Sequence, residues 1–238
     1  MTTTIDSLRQ QTANAALRGA LLEYDQRHGW RGPESRVEPA LLQAGREAEL
    51  AQVFDRLTPV GGLEPAIVTG FRADQLSLIT RRGPVTLAKP AFEWARLSVE
   101  KNPLQAGEVV RLQASAEGPR LAQVPQVQGA LVALDPLDGA IESLVGGFDF
   151  FAGKFNRVIQ ARRQAGSGFK PFLYSAALEN GFTPASVVLD APVVFDDPRL
   201  ESSWRPENYG GDIQGPIRLR EALVQSRNLV SIRLLQSI

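Results

Sequence analysis

Arg162-Arg163-Gln164-Ala165-Gly166-Ser167-Gly168-Phe169-Lys170-Pro171-Phe172 is where the chain passes from short alternating runs into helix. The helical pattern extends over residues 167–180 and is expected to close at Gly181, a residue that tolerates the left-handed conformation of a helix end. If Ser167 opens this helix, Lys170 lies three residues on along the same face, so the hydroxyl and the amine can meet. A serine hydroxyl attacks a carbonyl only with a base or strong electrostatic partner. A lysine whose pKa is lowered by burial or nearby cations can serve, and a helix N-terminus favours the developing negative charge. Only four of the 26 Lys plus Arg are lysines, Lys89, Lys101, Lys154 and Lys170. Arginine is the default cation of this chain and cannot release its proton at working pH, so a lysine at position 170 points to a titratable amine. The plainer reading of Ser-x-x-Lys is a helix cap followed by a solvated lysine.

Working towards the N-terminus, Gly129-Ala130-Leu131-Val132-Ala133-Leu134-Asp135, then Asp138-Gly139, then Ala140 to Gly147 form two runs about a turn pair and predict an antiparallel hairpin. Between residues 60 and 125 lie Ala66 to Phe71, Gln75 to Thr80, Val85 to Ala88, Glu108 to Gln113 and Arg120 to Val124. These short runs, divided by Gly and Pro, predict one small β-barrel or meander. Ahead of it, residues 5–28 predict a helix with Ile5, Leu8, Ala15, Ala16, Gly19, Ala20 and Tyr24 at apolar spacing, capped by Asp6 or a threonine. Pro39 to Leu57 predicts a second helix before the Thr58, Pro59, Gly61, Gly62 breaker. Towards the C-terminus, Leu219 to Leu235 predicts one more helix, carrying Ser226-Arg227-Asn228. A hydroxyl and a carboxamide two residues apart can enter one pocket, the first relaying a proton and the second binding an amide; alternatively they form a polar turn between helices.

With 43% apolar residues in 238, the chain can bury a substantial core. Lys plus Arg and Asp plus Glu both number 26, so bulk charge gives no reason to bind nucleic acid or anionic lipid. No run approaches the roughly 18 consecutive apolar residues of a spanning helix, and Met1-Thr2-Thr3-Thr4-Ile5 is unlike a secretory leader. The absence of cysteine excludes disulfides, thiolate metal sites and a cysteine nucleophile, and His28 is the single histidine available to a Ser/His/Asp triad. No cofactor and no metal site are expected.

The Ser-x-x-Lys and Ser-x-Asn motifs belong to one known set. Together with Gly146-Gly147-Phe148-Asp149-Phe150, Phe155-Asn156-Arg157, Arg163-Gln164, Gly166-Ser167 to Phe172, Trp204-Arg205-Pro206-Glu207-Asn208-Tyr209 and Leu219-Arg220-Glu221-Ala222-Leu223, they make residues 129–238 resemble the transpeptidase domain of class A, bifunctional penicillin-binding proteins. Residues 1–40 resemble the linker that follows the glycosyltransferase domain in that family, and residues 60–125 resemble its inserted OB-type β domain. The division expected on this basis is a linker and helical segment over 1–59, an OB-like domain over 60–125, and the N-terminal half of the transpeptidase over 126–238.

The resemblance implies an α+β fold: helices against an incomplete antiparallel sheet, plus a small all-β OB-like insert. It implies peptidoglycan synthesis by a serine D-Ala-D-Ala transpeptidase, with stem peptides and β-lactams as ligands. Ser167 would be the acylated nucleophile, Lys170 its general base, Ser226 the proton relay to the leaving amine, and Asn228 the holder of the substrate amide. The Ser167 backbone N–H would supply half of an oxyanion hole. The family's Lys-Thr-Gly motif does not occur, and the sequence ends ten residues after Asn228. The expectation is an internal fragment whose site is incomplete and labels weakly, in a parent held at the periplasmic side of the bacterial inner membrane by an N-terminal anchor. The alternative is a non-catalytic module whose OB-like domain docks an envelope regulatory protein.

Four other features read more simply. Gly146-Gly147 suits a strand end better than an anion cradle. Phe92 and Trp94 with Arg72, Arg81 and Arg82 could face nucleic acid, but ordinary barrel packing accounts for them. Asp135, Asp138 and Glu142 fit one turn and one strand, and His28 fits a helix end.

Overall fold

The computed structural model describes residues 3–99, 101–195 and 204–238. Met1 and Thr2, where the leader reading begins, lie outside them. Two compact units divide the chain, Met1–Ala161 and Arg162–Ile238.

The first unit opens with α1 (Ser7–Arg27), whose first turn is capped by Asp6 accepting from the Arg9 N–H. The helix stands where the sequence predicts it, but its buried stripe is Ala13, Leu17, Leu21 and Leu22; Leu8 and Tyr24 are exposed. Burial gain scales with apolar area, so leucines rather than the neighbouring alanines face inward. The predicted second helix is two pieces, a 3-10 turn over Pro39–Leu42 and α2 (Glu47–Arg56), separated at Gly45, whose φ is +87°. Leu50 and Phe54 are the core residues of α2.

Around these helices, β1 (Ser35–Arg36), β2 (Glu64–Phe71), β3 (Gln75–Thr80), β4 (Gly83–Ala88), β5 (Glu108–Gln113) and β6 (Arg120–Ala122) build one antiparallel sheet. Its order is β1-β5-β2-β3-β4, with β6 also on β5. The breaker becomes a tight turn: Val60 and Leu63 bridge across Gly61 and Gly62, at φ +60° and +86°. Ala66, Val68, Leu76, Leu78, Leu87, Val110 and Leu121 fill the inner face. Phe92 joins that core, and Trp94 donates its indole N–H to Leu121 O while meeting Trp30 edge-on, so these aromatics go to packing.

The predicted hairpin is β7 (Leu131–Leu134) and β8 (Ile141–Val145), antiparallel with a bulge after Ala133. Asp135 accepts from the Leu137 N–H and Asp138 from the Ala140 N–H, holding the turn, and Glu142 pairs with Arg9. Gly146 ends β8 under Asn156, whose side chain would lie 2.5 Å from an added Cβ, so close packing accounts for the glycine. His28 lies at the end of α1, with its ring nitrogen 2.7 Å from Tyr24 O.

The second unit contains α3 (Lys170–Glu179), β9 (Val187–Asp190), β10 (Gly215–Arg218), α4 (Leu219–Val224) and α5 (Asn228–Ser237). β9 and β10 pair antiparallel. Leu173, Tyr174, Ala177, Ile217, Leu219, Ala222, Val230 and Leu234 form its core. The single predicted helix over Leu219 to Leu235 is therefore two, broken where Ser226 adopts φ +54°. A left-handed residue cannot continue an α-helix. The whole is mixed helix and small antiparallel sheets, as expected.

Candidate active site

Gly166–Phe169 form a 3-10 turn that runs directly into α3, entered through Gly166 at φ +57°. In a 3-10 turn, side chains at i and i+3 eclipse, which sets Ser167 over Lys170. Ser167 is exposed, whereas Lys170 is 7% exposed.

At the other side of the site, α4 ends in a Schellman motif: the Ser226 N–H donates to Leu223 O and the Arg227 N–H to Ala222 O. The left-handed position of that motif favours glycine, and here serine occupies it. The kink turns the Ser226 carbonyl and hydroxyl towards α3. Lys170 Nζ donates to Ser226 O at 2.5 Å, to Ser226 Oγ at 2.9 Å and to Asn228 Oδ1 at 2.7 Å. Ser226 Oγ and Ser167 Oγ are 3.1 Å apart.

The four sequence-predicted residues therefore meet in one continuous chain of hydrogen bonds. Among the described residues its order is Ser167, Ser226, Lys170, Asn228, with the Ser226 hydroxyl between nucleophile candidate and amine. Burial lowers the Lys170 pKa from the ordinary lysine value, because an ammonium loses hydration there. All three acceptors are uncharged, so no carboxylate holds the proton on. A hydroxyl donates and accepts at once, so a proton can move along this chain in either direction.

Behind this chain lies a buried polar cluster to which the sequence reading gave no role. Asp190 is fully buried at the end of β9, and its Oδ2 accepts from Arg227 Nε at 2.8 Å and Nη2 at 2.6 Å. Burial alone would raise the Asp190 carboxyl, but hydrogen bonds from Asn208, Arg227 and the Gln214 N–H hold it below its usual range. The available sequence signals were an acid terminating the apolar run Val187-Val188-Leu189 and an arginine between the two Ser-x-Asn residues. Among the described residues no cluster of three or more His, Cys, Asp or Glu could hold a metal ion. No helix among them is long and apolar enough to cross a membrane.

Comparison with known proteins finds two families along the chain. Residues 30–127 match the model of the penicillin-binding protein OB-like domain, and residues 129–238 match that of the penicillin binding protein transpeptidase domain. The chain is 47% identical over 249 residues to penicillin-binding protein 1A of Pseudomonas aeruginosa, covering 99% of this chain and 30% of the relative. To the Escherichia coli K12 protein of the same name it is 38% identical over 248 residues, covering 99% of this chain and 29% of the relative. The crystal structure of penicillin-binding protein 1A from Haemophilus influenzae superimposes with a TM-score of 0.86 at 36% identity, over 99% of this chain and 35% of that one. The chain thus spans about 30% of the length of the curated relatives it matches. Carrying both the OB-like and the transpeptidase domains of that family, it belongs to the penicillin-binding proteins.

Proposed function

We propose that this chain contributes to peptidoglycan synthesis as the nucleophile-bearing part of a serine D,D-transpeptidase that β-lactams acylate. The observation that carries the reading is the continuous hydrogen-bonded chain from the exposed Ser167 hydroxyl through Ser226 to the buried Lys170 amine. Lys170 must be neutral to act as base, and its lowered pKa favours that form.

Ser167 Oγ attacks the carbonyl carbon of the D-Ala-D-Ala peptide bond. Its proton passes to Ser226 Oγ as the Ser226 proton passes to Lys170 Nζ. Collapse of the tetrahedral intermediate breaks the C–N bond, and the proton returns from Lys170 through Ser226 to the departing amine. The amine of a second stem peptide then attacks the acyl-enzyme and restores Ser167. With a β-lactam the leaving amine stays tethered by the opened ring. Asn228 accepts from Lys170 through Oδ1 and donates to Glu207 O through Nδ2. One N–H and one lone pair remain to hold a substrate amide. The Ser167 backbone N–H supplies one oxyanion donor.

This chemistry acts on cell-wall peptides, which puts the chain on the periplasmic side of the inner membrane, in a protein that also polymerises glycan strands and is held by an anchor. The organisation we assign is a linker and helical segment over 1–59, an OB-like domain over 60–125 and the N-terminal half of the transpeptidase domain over 126–238. The test is labelling with a fluorescent β-lactam in a full-length protein carrying these residues. Ser167→Ala is expected to abolish the label; labelling that persists in this variant overturns the assignment.

A further inference from the structure

We propose that Asn208 is a positioning residue for this site: anchored on the buried Asp190–Arg227 pair, it fixes the start of α5 so that Ser226 stays in its left-handed turn and Asn228 points at Lys170. The inference rests on the transpeptidase reading for its functional meaning, but its geometry stands apart from it.

The N-terminus of α5 has an unmet need. Its N-cap is Arg227, whose side chain makes no capping bond, so the first N–H groups of the helix require another acceptor. Asn208, distant in sequence, supplies it: Oδ1 accepts from the Asn228 N–H at 2.8 Å and the Leu229 N–H at 3.2 Å. Its Nδ2 donates to Asp190 Oδ1 at 2.8 Å and to Asp212 O at 3.0 Å. Two donors and two lone pairs are all used, which fixes both the orientation of the amide and its place. Asn208 is 6% exposed and Arg227 5%, so neither set of bonds exchanges freely with water.

Arg227 completes the clamp. Besides its two bonds to Asp190, Nη1 donates to Asp212 Oδ2 at 2.9 Å and Nη2 to Asp212 O at 2.7 Å. A planar guanidinium held on two sides cannot rotate, so the backbone that carries it cannot either. That backbone lies between Ser226 and Asn228, the two residues that between them accept all three Lys170 hydrogen bonds. Serine at φ +54° is disfavoured by itself, and a strained residue persists where its surroundings over-determine it. The clamp provides that constraint. Loosening it lets the turn relax and admits water to the Lys170 amine, without altering any of the reacting groups.

The test follows the Lys170 amine by 13C NMR in full-length protein labelled at lysine Cε, with the resonance assigned by its loss in Lys170→Arg. Asn208→Ala is expected to move the titration midpoint upward, towards the ordinary lysine value of about 10.4. It should also slow β-lactam acylation by about tenfold to a hundredfold, the scale of a misplaced reacting group, through the chemical step rather than initial binding. Leu234→Ala, which weakens the same core without touching the clamp, should leave the midpoint in place. Should Asn208→Ala fail to fold, Arg227→Lys decides: it keeps the buried charge, loses the fork and is expected to shift the midpoint in the same direction. A folded variant with the unaltered midpoint overturns the positioning role, and so does a Leu234→Ala shift of equal size. Labelling that survives Ser167→Ala would instead overturn the transpeptidase reading, while the titration would still decide this one.

Discussion

Ser226 carries two properties that substitution can separate. At φ +54° an L-residue is strained by about 1–2 kcal/mol, while glycine is not. Ser226→Gly and Ser226→Ala both remove the hydroxyl between Ser167 and Lys170, so both are expected to cut β-lactam acylation, by about a hundredfold or more. Their stabilities should differ: Ser226→Gly unfolds later than Ser226→Ala by about 1 kcal/mol in denaturant titration, and equal midpoints would show that the turn is unstrained. Lys170 adds a pH dependence. Its folded pKa is lowered by burial, so between that value and the unfolded value near 10.4 the unfolded chain binds the extra proton. Stability from this residue therefore rises with pH across that window, and the same titration generates the neutral amine that the proposed proton relay through Ser226 requires. Lys170→Met should flatten that alkaline rise in a stability-versus-pH series.

Among the elements, α1 and β8 are joined by a device unusual for a helix packed on a strand. Gln10 Nε2 donates to Leu144 O at 3.1 Å, and Gln10 Oε1 accepts from the Leu144 N–H at 2.9 Å, so the side chain mimics a neighbouring strand at an open edge. Gln10→Leu keeps the volume but leaves both backbone groups of Leu144 without partners. The expected cost is about 2–4 kcal/mol, from two unmade hydrogen bonds, read as a lower unfolding midpoint of the first unit. An unchanged midpoint would mean that water replaces the amide. A polar residue on the inner side of α1 also accounts for the mistaken helical face: Gln10 and Asn14 interrupt the apolar stripe, and the alanines elsewhere on the helix imitate one.

Across the molecule, each unit holds a carboxylate ionised, half-buried in the first and fully buried in the second. Asp149 in the first resists burial through the N–H groups of Ala152, Gly61 and Phe151 and through Arg18; Asp190 in the second does so through Asn208, Arg227 and Gln214. Each has a folded pKa below its unfolded value of about 3.9, so each stabilises the fold above that pH and loses its contribution as pH falls through the lower folded value. Acid unfolding is therefore expected to begin below about pH 4. Asp190→Asn should weaken the second unit at neutral pH while flattening its acid limb; an acid limb identical to that of the parent would rule out Asp190 as a contributor.

Local pattern in the chain is enough to locate most strands of the first unit and the four site residues, but not the breaks within Pro39–Leu57 and Leu219–Leu235. Strand runs such as Gln75–Thr80 and Glu108–Gln113 fall where alternation and Gly or Pro punctuation put them, because those signals are local to a few residues. Ser167, Lys170, Ser226 and Asn228 were legible from their spacing and family motifs, and their meeting follows from one 3-10 turn and one helix end. That Ser226 stands between the hydroxyl and the amine, and that Asp190, Asn208 and Arg227 hold it there, emerges only from long-range packing. Those contacts join residues 18 to 59 positions apart in sequence. Such separations leave no periodic trace, and burial, which lowers the pKa of Lys170 and encloses Asn208 as the cap of α5, exists only once the chain has closed around them.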